Sequence, residues 1–275
     1  MSRPAGQLLT PGKLRELWDP ISLKPERTYR ASLCTVEFWI KRSKADWYVA
    51  HRPTAVELPA CGLQPVAAAE EPGNAEWARW VAGDDAPRIH LVPTLPDRSV
   101  VLRPRYPLHV PRGRSVLFFV NIPLWIRVLV GASPGTTLTE IPTIALSNSW
   151  FGAPTSGELC YALKTKALRD LEEVSNHPYV VTCPVSVENQ APSDLKFERL
   201  CVRVEHLHVY RGQRRLWTNQ VEVVFKGEEL VSQINIRRYA PVFEQASERL
   251  CPAREPVDHS LLKKSFSFLR SITGF

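Results

Sequence analysis

Apolar residues along this chain recur mostly at every second position, in short runs cut by proline, glycine and aspartate. A period of two places alternate side chains on opposite faces of an extended strand, so the pattern predicts β structure. Val36, Phe38 and Ile40 fall on one face of a strand over 28–40. A polar turn at 43–46 folds that strand back on 47–51 as a hairpin. From residue 88 the runs come densely, at 88–92, 99–103, 108–110, 115–120 and 125–130. A second series covers 179–183, 185–188, 195–197, 200–210, 215–217, 220–225 and 230–236. Between the two series lies SWFGAPTSGELCYALKTKALR, at 149–169, where Gly152, Pro154 and Gly157 make a turn-dense joint.

Helical spacing is scarce. Residues 11–18 fit one short helix, with Pro11 at its start and Asp19-Pro20 as its stop. A turn or two is expected at 74–81, capped by Asn74 with Trp77, Trp80 and Val81 on one face. The strongest internal candidate is 164–174, ended by Asn176-His177-Pro178, and the proline- and alanine-rich 53–72 reads as a long connection. Parallel sheets need crossover helices, and little sequence is left to supply them. The expected fold is therefore mostly β: two antiparallel β-sandwich-like domains with few short helices and a C-terminal amphipathic helix. Residues 1–148 form the first domain, 149–178 the joint and short helix, 179–250 the second domain, and 251–275 a linker and tail.

The tail has its own pattern. On a helical wheel Leu261, Leu262, Phe266, Phe268, Leu269 and Ile272 share one half, while Lys263, Lys264, Ser267, Arg270 and Ser271 fill the other. A basic amphipathic helix of this form either docks on a membrane surface or a partner, or folds back on its own domain.

Composition narrows the class. A chain of 275 residues with 44% apolar and 23% charged side chains is long enough for two domains and has the balance of a soluble globular protein. The most apolar window, 116–130, is broken by Asn121, Pro123 and Arg127 and is too short to span a bilayer. The first residues lack the apolar segment of a secretory leader, so the six cysteines (34, 61, 160, 183, 201 and 251) are expected to be reduced, in the cytoplasm. Net charge is +7, unevenly spread: residues 98–139 hold six arginines and no acid.

Candidate chemistry is thin. Phosphate loops, dinucleotide fingerprints, nucleophile elbows and paired Cys/His zinc spacings are all missing, so no catalytic residue and no cofactor is assigned. His206 and His208 would share one strand face as a pair of metal ligands, next to Val202 and Val204, with no third ligand evident. Cys160 and Cys183 flank His177 in sequence, yet their neighbours mark both as small packing residues. Arg103 and Arg105 beside Tyr106, and Arg211, Arg214 and Arg215 before Trp217, are candidate anion contacts. No nucleic-acid module accompanies them, which disfavours nucleic acid.

Three segments carry a family resemblance: F-G-A-P-T-S-G-E-L-C-Y at 151–161, C-P-V-S-V-E-N-Q-A-P-S-D-L at 183–195, and R-L-C-V-R-V-E-H-L-H-V-Y at 199–210. Y-P-L-H-V-P-R-G at 106–113 and N-I-P-L-W-I at 121–126 are compatible with it. The chain resembles an uncharacterised prokaryotic family, the domain of unknown function 432 group. That resemblance implies no assigned activity and no catalytic residues to carry over. Some members are encoded near small mechanosensitive channels, which favours a membrane protein as partner. The expected function is thus a non-enzymatic accessory or regulatory protein docking on a protein partner at the cytoplasmic membrane surface. Leu261, Leu262, Lys263, Lys264, Phe266, Leu269, Arg270 and Ile272 would make the contact. An anion- or nucleic-acid-binding β module and an enzyme with an unrecognised site are the alternatives.

Overall fold

In the computed structural model, which describes residues 10–44, 46–67, 70–81, 88–131, 135–227 and 233–257, the first element is the helix Pro11–Trp18. The Thr10 hydroxyl caps it by accepting the Lys13 N–H at 3.2 Å, and Asp19 leaves it in an extended conformation. Leu14, Leu17 and Trp18 are buried, which pins the helix to the sheets. The remaining architecture is strand. Arg27–Ser43 and Asp46–Pro65 form the long hairpin, joined by Ala78–Val81 on the outer side of Asp46–Val49. Ile21–Ser22, Arg88–Thr94, Trp125–Val130 and Thr136–Pro142 make an antiparallel four-stranded sheet in that order.

The largest sheet draws on both halves of the sequence. Ser115–Pro123 pairs antiparallel with Val180–Asn189 along its length. The opposite edge of Val180–Asn189 pairs in parallel with Leu216–Thr218 and then with Val221–Phe225. Gln233–Ile236, Val209–Arg211 and Glu248–Cys251 complete that sheet. One buried cluster runs from Leu14 through Val120, Ile126, Val185 and Val202 to Cys251. Strands on both sides of 149–178 therefore share a sheet and a core, and the joint runs along this body.

Several sequence expectations are corrected. The ladders are not all antiparallel: Glu158–Thr165 also runs parallel to Val100–Pro104, and the crossovers are made by strands and loops, not helices. The expected helix at 164–174 is instead the end of a strand, a bridge from Leu168 to Phe119, and a single 3₁₀ turn at Leu171–Glu173. Pairing with Val100–Pro104 overrides helix propensity there, and Ala167 at φ 48 breaks any continuing turn. The expected helix at 74–81 is the strand Ala78–Val81, held by an Arg79–Asp46 ion pair of 2.5 Å. Much of the expected connection at 53–72 is strand, because Asp46–Pro65 continues through register shifts opposite 30–36, where bulges accommodate its prolines. The strand expected over 200–210 breaks into Leu200–Val202, a 3₁₀ turn at Val204–His206, and Val209–Arg211.

The linker expected at 251–256 is docked. Arg254 donates to the Leu95 carbonyl at 2.6 Å and to Glu140 at 2.6 Å, and Glu140 also receives Arg127 at 2.6 Å. The amphipathic tail at 258–275 lies outside the described residues.

Candidate functional site

The Gly/Pro joint closes a hairpin at the edge of a second four-stranded sheet, ordered Asn148–Phe151, Glu158–Thr165, Val100–Pro104, Leu200–Val202. Gly152 adopts φ +107 and lies against Gly157. A Cβ on Gly157 would come within 2.4 Å of Trp150 Nε1 and 2.6 Å of the Phe151 carbonyl, so the turn closes only around glycine.

Alternation sorts the side chains of this sheet. Val100, Leu102, Tyr161, Leu163, Leu200 and Val202 join the main core, whereas Val101, Phe151, Cys160 and Cys201 form a small cluster on the other face. Glu158, Lys164, Arg103, Arg199 and Arg203 share this second face by the same period. The register sets them in rows. Lys164 pairs with Arg103, and Arg199 stands one step beyond the Leu200–Leu102 pair, beside Arg103. Three cations thus lie abreast across three strands. Burial and then the neighbouring Arg103 lower the Arg199 pKa. Arg199 donates to the Trp150 carbonyl at 2.6 Å and covers the Phe151 ring, while its Nε is buried without a hydrogen-bond partner among the described residues. Arg103 reaches only the Ser149 hydroxyl, at 3.2 Å, and neither guanidinium pairs with a carboxylate among the described residues.

Below that row sit the thiols. Glu158, Cys160 and Cys201 bring their donor atoms within 4.8 Å of one another. Both oxygens of Glu158 accept from Arg203, at 2.6 and 2.7 Å, and Arg203 also approaches Glu205 at 3.5 Å. Ser99 donates to the buried Glu205 at 2.8 Å. The Cys160 thiol donates to the Glu158 backbone carbonyl at 3.8 Å, and the neighbouring Cys201 thiol lowers the Cys160 pKa against the cost of burial while that of Cys201 is raised. Burial pushes the Cys34 thiol up to about 11, with Glu57 adding to it, and raises Cys183 and Cys251 as well. Cys160 alone among these shifted thiols moves down. All six cysteines are free.

A family model described as Protein of unknown function (DUF432) matches residues 17–270. The chain belongs to the DUF432 family. Neither a curated protein nor a solved structure matches it. The resemblance read from the glycine-rich joint and its flanking segments is borne out, and in this DUF432 protein two of those segments, 151–161 and 199–210, contribute strands to the face just described.

The other residues singled out in the sequence are placed elsewhere. Arg211 pairs with Asp19 at 2.5 Å, Arg215 with Glu244 at 2.8 Å, and Arg214 with Glu172 at 3.6 Å, so their charges are matched internally. Arg105 lies over the Tyr106 ring, 5.4 Å from its centroid. His206 and His208 do not share a strand face, because His206 belongs to a 3₁₀ turn. His206 Nδ1 donates to the Glu255 carbonyl at 3.3 Å, and His208 Nδ1 accepts the Ala253 N–H at 2.8 Å. They secure the chain at 253–255 and gather no third metal donor among the described residues. The tail contacts, Leu261, Leu262, Lys263, Lys264, Phe266, Leu269, Arg270 and Ile272, lie outside the described residues. A cleft of about 370 Å³ lined by Glu26, Lys41, Ser43, Tyr48, Glu71 and Trp77 sits on the long hairpin, away from this face. Its acids are engaged by Ser43 and Thr28, and it gathers no thiol or histidine.

Sequence reasoning missed Cys201 as a partner for Cys160. The signal was present in R-L-C-V-R, where alternation puts Cys201 between Arg199 and Arg203 on one face. What brings Cys160 there is a ladder to Val100–Pro104, which no local pattern announces.

Proposed function

We propose that this DUF432 protein is a non-enzymatic binding module that docks an acidic segment of a protein partner on the Lys164–Arg103–Arg199 row. The observation that carries this reading is the row itself. Cations directly abreast on neighbouring strands stand about 5 Å apart at Cβ and destabilise a sheet. Elsewhere Arg127, Arg211, Arg215, Arg237 and Arg254 are each matched by a carboxylate. A row that no carboxylate matches among the described residues, with Arg103 and Lys164 exposed and Arg199 half-buried beside them, is what an incoming carboxylate or phosphate would satisfy. The row spans roughly 10 Å, two strand spacings, which suits a short cluster of anionic groups better than a nucleic-acid backbone. A second contact, by the basic amphipathic pattern at 258–275 on an anionic membrane, belongs to the same reading and rests on sequence alone.

Fluorescence anisotropy with a labelled polyglutamate peptide tests it. Binding should weaken steeply as salt is raised, and Arg103→Ala with Arg199→Ala should weaken it at least tenfold, roughly the loss of one charge-assisted contact. Equal affinity in the double variant, or no binding by the natural chain at low salt, would overturn the reading. Tighter binding of a single-stranded oligonucleotide through the same arginines would replace the acidic protein with nucleic acid.

A further inference from the structure

The thiol cluster beneath the cation row has a geometry that dense packing alone does not require. Cys160 and Cys201 lie on strands that flank Val100–Pro104, not on neighbours. Two strand spacings set their backbones roughly 9–10 Å apart. A disulfide needs Cα atoms within about 7 Å, so the two sulfurs converge over Val101 at a separation that backbone movement would have to close before they could bond. A tetrahedral zinc-class ion with metal–sulfur bonds of about 2.3 Å and a metal–oxygen bond of about 2.0 Å needs donors roughly 3.5–3.8 Å apart. Glu158, Cys160 and Cys201 already hold theirs within 4.8 Å.

We propose that Glu158 Oε, Cys160 Sγ and Cys201 Sγ form a binding site for a thiophilic divalent cation of the zinc class, with the fourth position open. The surrounding cations do not oppose it. When both thiols release their protons as the ion binds, the dication and two thiolates replace two neutral thiols, and the local net charge is unchanged. Arg203, held on Glu158 beside the two sulfurs, places a positive charge next to the thiolates that the ion would create. Glu158 can ligate without leaving Arg203, because each carboxylate oxygen has a second lone pair. Its two bonds from Arg203 then hold the ligand in place, as outer partners of metal ligands commonly do. The sulfurs are buried, but Glu158 and Arg203 above them are partly exposed, at 35% and 22%, which gives the ion a way in. The proposal stands apart from the docking of an acidic partner, since its three ligands, Glu158, Cys160 and Cys201, include no member of the cation row.

Cobalt(II) titration of the reduced full-length chain reads the site. One equivalent per chain should give the near-ultraviolet charge-transfer band of a thiolate complex, and zinc should displace it. Cys160→Ser, Cys201→Ser and Glu158→Gln should each weaken binding by at least about tenfold. Cys61→Ser, on the long hairpin, and Arg103→Ala should leave it unchanged. If the cysteine variants fail to fold, X-ray absorption on the zinc-loaded natural chain decides. Two sulfur scatterers at about 2.3 Å support the site, and a shell of nitrogen and oxygen alone overturns it. No thiolate band with cobalt, or a band that survives loss of both Cys160 and Cys201, also overturns it.

Discussion

His208 ties the chain at Ala253 through a hydrogen bond that only its neutral ring can make, since Nδ1 is the acceptor. Burial, and then the nearby Arg249, lower its pKa below the ordinary 6.5. An unfolded chain would take up that proton near 6.5 and the folded one only at lower pH. The unfolded state therefore binds more protons in between, and stability is lost as pH falls below about 6.5. Glu140 acts in a lower window. Its burial would raise its pKa, but Arg254 and Arg127 outweigh that and hold it below 4.5, so its contribution fades only in stronger acid. We expect the melting temperature to drop between about pH 7 and pH 5.5, and His208→Asn to flatten the profile, because the Asn oxygen stands where Nδ1 stood and accepts the same N–H without titrating. An unchanged slope in that variant would remove His208 from the account.

The hairpin 148–165 depends on two glycines that touch. Gly157→Ala should cost about 1–3 kcal/mol, read from the urea midpoint, because its methyl group meets a carbonyl and an indole nitrogen with no free volume. Gly73→Ala, where nothing lies within 4 Å, should cost little. Legibility in the sequence divides at this same scale. Strands whose alternation is local were readable: Leu108–Val110, Trp125–Val130 and Leu195–Phe197 stand where their side chains put them. The glycine joint was readable too, since its turn chemistry lies in adjacent residues. The fate of 164–174 was not, because helical spacing there competes with a ladder to residues some sixty positions earlier. The thiol site shares that difficulty. Each cysteine looks like filler in its own strand, and only the pairing of both strands with Val100–Pro104 brings them to one face of one sheet. The cation row is half legible, Arg103 by composition and Arg199 by register alone.

The nine-residue ladder between Ser115–Pro123 and Val180–Asn189 joins the two halves of the chain in one sheet, so they are expected to unfold together. Calorimetry should show one unfolding transition, with the calorimetric and van't Hoff enthalpies equal. Two transitions would mean that the halves hold separate cores despite the shared sheet. The same ladder has a consequence for synthesis. As the chain leaves the ribosome, Ser115–Pro123 emerges roughly sixty residues before its partner, a wait of about 3–12 s at ordinary elongation rates. Throughout that interval Phe118, Val120 and Ile122, each buried in the finished protein, are without their cover, and the backbone edge beside them is unpaired. Nascent chains of this protein should therefore lean on holding chaperones at mid-length and be released from them only once residue 189 has cleared the exit tunnel.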